Sequence, residues 1–122
     1  MKWWTTLGID LAWVLIFAIV GRISHNEGAD GAGFLVTAWP FVVGLVGTTV
    51  GLIGMKRPTE QPLNGAIVWL GTLVFGMWIR ANSGAGVQVS FVVVAGIFLA
   101  VGLLGWRLVA ARRARGVDQP AG

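Results

Sequence analysis

Residues 87–108 read VQVSFVVVAGIFLAVGLLGWRL, twenty-two positions in which the only charge, Arg107, stands next to last. As a helix this stretch rises about 33 Å, at about 1.5 Å per residue. That is enough to cross a hydrocarbon core of about 30 Å. Three further stretches of the same kind occupy residues 5–24, 33–54 and 63–80. The expected fold is therefore all-α, an integral membrane bundle of four transmembrane helices. Residues 1–110 form one domain in this reading, and residues 111–122 a short basic, disordered tail.

Composition leads to the same solvent. Charged residues make up 11% of the 122-residue chain, against the roughly 25% that an ordinary soluble domain carries. The net charge of +4 does not point to nucleic acid, because the basic residues gather at helix ends. With no cysteine and a single histidine, the chain offers no thiolate chemistry and no multi-histidine metal site within one subunit. No cofactor, metal or enzymatic activity is expected. The first stretch begins at Lys2 like a signal peptide, but its length, Asp10 and the missing small-x-small site favour a retained helix.

The turns and charges set an expected orientation. Residues 25–32 (HNEGADGA) are polar and glycine-rich, residues 55–62 (MKRPTEQP) hold two prolines and a basic pair, and residues 81–86 (ANSGAG) are short. Connections this short make sequential neighbours antiparallel. One face then collects Lys2, Lys56, Arg57, Arg107, Arg112, Arg113 and Arg115, and the other only Arg22 and Arg80. Basic loops stay inside, so both termini are expected in the cytoplasm and the protein in the cytoplasmic (inner) membrane. Trp3, Trp4, Trp69 and Trp106 fall towards one boundary, and Trp39 and Trp78 towards the other, as an aromatic belt requires. Trp13 falls near mid-depth, facing lipid or filling a gap in the core.

Helices meet in lipid through small residues. Gly44, Gly47, Gly51 and Gly54 recur at spacings of three, four and three, which keeps them on one face of the second helix. They are the candidate packing face, within one subunit or between copies. Ala95, Gly96, Ala100 and Gly102 are a weaker version on the fourth helix. Trp39-Pro40-Phe41 opens the second helix if Thr37 caps it; otherwise Pro40 lies inside a longer one.

Four polar residues are out of place. Asp10 lies six residues beyond Trp4, about 9 Å along the helix, and an acid at that depth must face protein or water. Thr6 is a candidate donor to it, and Arg107, Lys56 and Arg57 are candidate basic partners. Asp10 reads either as a proton or cation site or as a structural ion pair. Arg22 is twelve residues away, about 18 Å, and belongs with His25, Glu27, Asp30, Arg80 and Asn82 at the opposite face. Arg22 and Arg80 read as an anion or headgroup site, or as interfacial arginines held by Glu27 or Asp30. His25 is the one near-neutral titrating group.

Asp10, the Gly21-Arg22…His25 turn, Trp39-Pro40-Phe41, Arg80 and Gly105-Trp106-Arg107 together resemble the domain of unknown function 3054 family. This is a group of small prokaryotic four-helix membrane proteins. The resemblance spans nearly the whole chain. It implies a membrane location and supplies no activity.

Two functions follow as expectations. The first is a small transporter or channel with Asp10, Arg22, His25 and Arg80 on its pathway. The alternative is a structural or accessory subunit packing against a larger membrane complex. Beyond the lipid bilayer, the expected partner is a second copy of the chain or that larger complex, and not nucleic acid. An intramembrane enzyme would rest on His25 and Glu27 alone. No nucleophile–base pair, phosphate loop or carboxylate pair appears in the sequence.

Overall fold

A backbone buried in hydrocarbon must satisfy its own hydrogen bonds, and long apolar segments do so as helices. The computed structural model describes residues 2–24, 31–83 and 89–118, with the side chains at 22–24, 31–35 and 115–118 left undescribed. It contains α1 (Trp3–Ser24), α2 (Gly31–Gly54), α3 (Pro62–Asn82) and α4 (Val89–Asp118). Each is long and apolar enough to span a membrane.

The ends have local causes. α3 starts with Pro62 in its first turn, where the missing N–H costs nothing, after Gln61 in an extended conformation. α2 runs through Pro40 from Gly31, so Thr37 does not start it. At its other end the Arg57 N–H donates to the Leu52 carbonyl and the Lys56 N–H to the Ile53 carbonyl, both at 3.0 Å. That pair of bonds is a Schellman cap, and Lys56 takes the left-handed conformation (φ 58°) that glycine usually fills. A lysine there costs about 1 kcal/mol relative to glycine. α4 does not stop near residue 108: it continues to Asp118, where a disordered tail was expected. Ala110-Ala111-Arg112-Arg113-Ala114 are strong helix formers, and no glycine or proline interrupts them before Gly116.

Each helix buries one stripe at three- and four-residue spacing. On α1 it is Thr6, Asp10, Val14, Phe17 and Ala18; on α4 it is Ala95, Leu99, Leu103 and Arg107. α2 contributes Phe41, Leu45, Thr49 and Leu52, and α3 contributes Asn64, Val68, Thr72 and Met77. α1 packs on α2 and α4, and α3 packs on the same two, with the α2–α3 seam the most extensive and the α1–α4 seam the least. Among the described residues the diagonal pairs make no close backbone contact, and side chains fill the middle. Phe17 meets Phe41 edge-on at 5.1 Å between centroids and lies 5.8 Å from Phe98, while Phe41 and Phe91 are 6.2 Å apart.

Small residues permit the close approaches, though mostly not the ones the sequence singles out. Of the candidate packing face only Gly44 meets a neighbour: a Cβ there would lie 3.1 Å from the Thr72 carbonyl oxygen. Gly47, Gly51 and Gly54 have open space in front of them. The tight positions are Gly71 against Thr48, Gly76 against the Phe41 ring, Gly65 against Arg107 and Gly102 against the Trp13 indole. The spacing in α2 sets a common face, but it does not say how much of that face a neighbour covers.

Candidate functional site

Asp10 sits on the inward stripe of α1 and Arg107 on the inward stripe of α4, and each side chain is 0% exposed. Arg107 donates from Nη1 to Asp10 Oδ1 at 2.9 Å and from Nη2 to Oδ2 at 2.7 Å. This is the two-pronged pairing that a planar guanidinium makes with a carboxylate. Trp106, the residue before, donates its indole N–H to Oδ1 at 2.8 Å. Both carboxylate oxygens are therefore engaged.

Arg107 is held from three further directions. Its Nε donates to the Thr59 carbonyl at 2.8 Å, and Nη1 also donates to the Leu103 carbonyl one turn back at 2.7 Å. The guanidinium carbon lies 4.7 Å from the centroid of the Trp106 ring. Gly65 leaves the space through which the arginine stem passes, since a Cβ there would overlap its Cδ. One side chain thus ties α4 to α1, to the α2–α3 connection and to the start of α3. The pair carries no net charge, and its hydrogen bonds offset the cost of dehydrating two ions.

Of the three candidate partners for Asp10, then, Arg107 is the one it meets. Lys56 and Arg57 stay exposed. Thr6 is buried but donates to the Lys2 carbonyl at 3.4 Å, not to Asp10. Trp106 and Trp69 are turned into the bundle as donors, Trp69 to the Gly96 carbonyl at 2.8 Å. Trp13 fills the core: its N–H donates to the Phe98 carbonyl at 2.9 Å and its ring stacks on Phe98 at 4.7 Å. Trp3, Trp4, Trp39 and Trp78 are exposed at helix ends or towards them, as a belt requires.

Asp10 and Arg80 do not share a site. Gly65, which touches Arg107, and Arg80 stand fifteen residues apart on α3, about 22 Å. Arg80 is half-buried with its guanidinium carbon 4.4 Å from the Phe91 ring centroid. Arg22 lies on the last turn of α1, and its side chain, with His25, Glu27 and Asp30, falls outside the described residues. Among the described residues three buried polar atoms have no hydrogen-bond partner: the hydroxyls of Thr49 and Thr72 and Oδ1 of Asn64. Among the described residues no group of histidines and carboxylates is placed to hold a metal ion.

Four membrane-spanning helices closed at one end by a buried arginine–aspartate clamp define the class: a small multi-pass membrane protein. Within that class the chain belongs to the family described as protein of unknown function (DUF3054), whose model matches residues 7–110 and so includes Asp10 and Arg107. No curated protein and no solved structure matches it.

Proposed function

We propose that this protein is a structural or accessory subunit of the cytoplasmic membrane, which assembles with copies of itself or with a larger membrane complex. In this reading neighbouring helices are antiparallel and both termini are cytoplasmic. The observation that carries it is the state of Asp10, fully buried with both carboxylate oxygens held by Arg107 and Trp106. A carrier site needs a carboxylate that can exchange its partner for a proton or cation. Here an exchange would strand a buried guanidinium. The phenylalanine rings packed in the middle of the bundle, among the described residues, also favour a dry interior. The seven-to-two division of basic residues supports the orientation.

Transport remains the second reading because of the Thr49 and Thr72 hydroxyls, which lack an acceptor inside the bundle. Unpaired buried hydroxyls are costly and invite water.

Since the chain has no cysteine, single cysteines separate the two readings directly. Positions 14, 49, 72 and 99 report on the interior, 56 and 82 on the two faces. An accessory subunit leaves the four interior cysteines unlabelled by a membrane-impermeant thiol reagent. Position 56 reacts only from the cytoplasmic side and 82 only from the other. Labelling at 49 and 72 would establish a wet path and favour transport. Reversed sidedness at 56 and 82 would overturn the orientation alone. Co-purification from native membranes then has to yield a partner or a homo-oligomer; a lone subunit would sink the accessory role.

A further inference from the structure

The outer side of the α2–α3 seam carries an apolar groove of about 490 Å³, within the range of small-molecule sites. Gly47 and Gly51 line it from α2, Met55 from the turn that follows, and Leu70, Val74 and Phe75 from α3, all of them exposed. The missing side chains at Gly47 and Gly51 open it, and Thr48, seated against Gly71, lies along the same seam. Its lining runs over residues 47–55 and 67–75, eight helical steps on each side or about 12 Å, close to the roughly 15 Å depth of one leaflet's hydrocarbon.

One end of the groove is marked by charge. Met55 lines it, and the next two residues are Lys56 and Arg57, both exposed. Neither pairs with a carboxylate among the described residues. The Schellman cap that ends α2 sets both in the loop at that end, with Lys56 in a conformation that glycine would hold without strain. An apolar slot about one leaflet deep with two exposed cations at its end, neither paired with a carboxylate among the described residues, fits an acyl chain bearing an anionic phosphate headgroup.

We propose that the α2–α3 groove binds an anionic glycerophospholipid, with an acyl chain along Gly47 and Gly51 and its phosphate at Lys56 and Arg57. This inference rests on the membrane location of the chain and not on its accessory role. It also gives the exposed part of the glycine face an occupant other than a protein helix.

The test is native mass spectrometry of the whole protein released from micelles holding equal amounts of phosphatidylglycerol and phosphatidylcholine. The wild type is expected to retain one phosphatidylglycerol with a preference of about ten-fold. Lys56→Gly with Arg57→Gln should abolish the preference, while Lys56→Gly by itself raises the unfolding midpoint by removing the left-handed lysine. That opposite movement separates headgroup recognition from a folding defect. Gly51→Leu, whose Cβ meets no neighbour and whose side chain would occupy the groove, should lose the retained lipid of either kind. Three results would overturn the proposal. The first is an undiminished preference in the charge variant, and the second is displacement of the lipid by millimolar inorganic phosphate, which would reduce the site to a phosphate contact. The third is a Gly51→Leu protein that keeps its lipid but falls from oligomer to monomer, which would assign the groove to a second copy. Each leaves the cysteine-labelling result unaffected, and the third would itself supply the homo-oligomer that the accessory reading requires.

Discussion

At the scale of single residues, the molecule turns on Asp10 and Arg107. Removing one partner of a buried pair leaves an uncompensated charge and costs about 3–5 kcal/mol, whereas replacing both with apolar groups is often close to neutral. Asp10→Leu and Arg107→Met should therefore each lower the stability of the detergent-solubilised protein by that amount. The double variant should recover most of the loss. Simple additivity in the double-mutant cycle would show that the pair does not hold α1 to α4. Gly65→Ala belongs to the same unit, because its methyl would overlap the arginine stem. A loss of about 1–3 kcal/mol is expected there, read from the same unfolding curves. Asp10 was conspicuous in the sequence as an acid at membrane depth. Arg107 was one of three candidates, counted among the boundary charges. The signal that singles it out is its register, four residues from Leu103 and eight from Leu99 on the buried stripe of α4. Nothing local marks the Thr59 carbonyl, since its role depends on where the α2–α3 connection lies.

Elements are joined by a mixture of close packing and indole hydrogen bonds. Trp13 from α1 and Trp69 from α3 both donate to carbonyls of α4, at Phe98 and Gly96. Interhelical hydrogen bonds in membranes are worth about 0.6 kcal/mol on average, so Trp69→Phe should cost about that much. Trp13→Phe should cost more, because it also leaves space over Gly102. The glycines predict a sharper contrast along the α2–α3 seam. Gly76→Val would drive a side chain into the Phe41 ring, where a Cβ already comes within 2.5 Å, and should destabilise by about 1–3 kcal/mol. Gly51→Leu faces open space and should leave the unfolding midpoint nearly unchanged. Equal effects at the two positions would contradict the packing described here. Sequence spacing found the shared face of Gly44, Gly47, Gly51 and Gly54. It could not rank Gly71, Gly76 and Gly102 above them, because the first two belong to no such pattern, Gly102 belongs only to the weaker one on α4, and each is tight only against a partner on another helix.

For the whole molecule, orientation is the property most open to test. Replacing Lys56, Arg57, Arg112, Arg113 and Arg115 with glutamine leaves two basic residues on each face, where the native chain has seven against two. Reporter fusions at the C-terminus should then show a mixed topology in place of a single one. A uniformly cytoplasmic C-terminus in that variant would mean that another feature sets the direction of insertion. The α1–α4 seam is the thinnest of the four, and it is closed by the clamp together with the Trp13 and Phe17 rings packed on Phe98. Weakening Asp10 or Arg107 should therefore act on global unfolding and not on a local turn.

What the amino-acid order by itself determined is the number of helices, their approximate limits and the membrane as solvent. These depend on length and apolarity, which are local sums over about twenty residues. The same holds for the demand that Asp10 find a partner, since hydrocarbon offers it none. The tertiary structure alone decided which partner, which glycines are tight and which face of α2 stays open. Those are properties of pairs of helices, set by the rotation and depth of each against its neighbour, and no single segment encodes them.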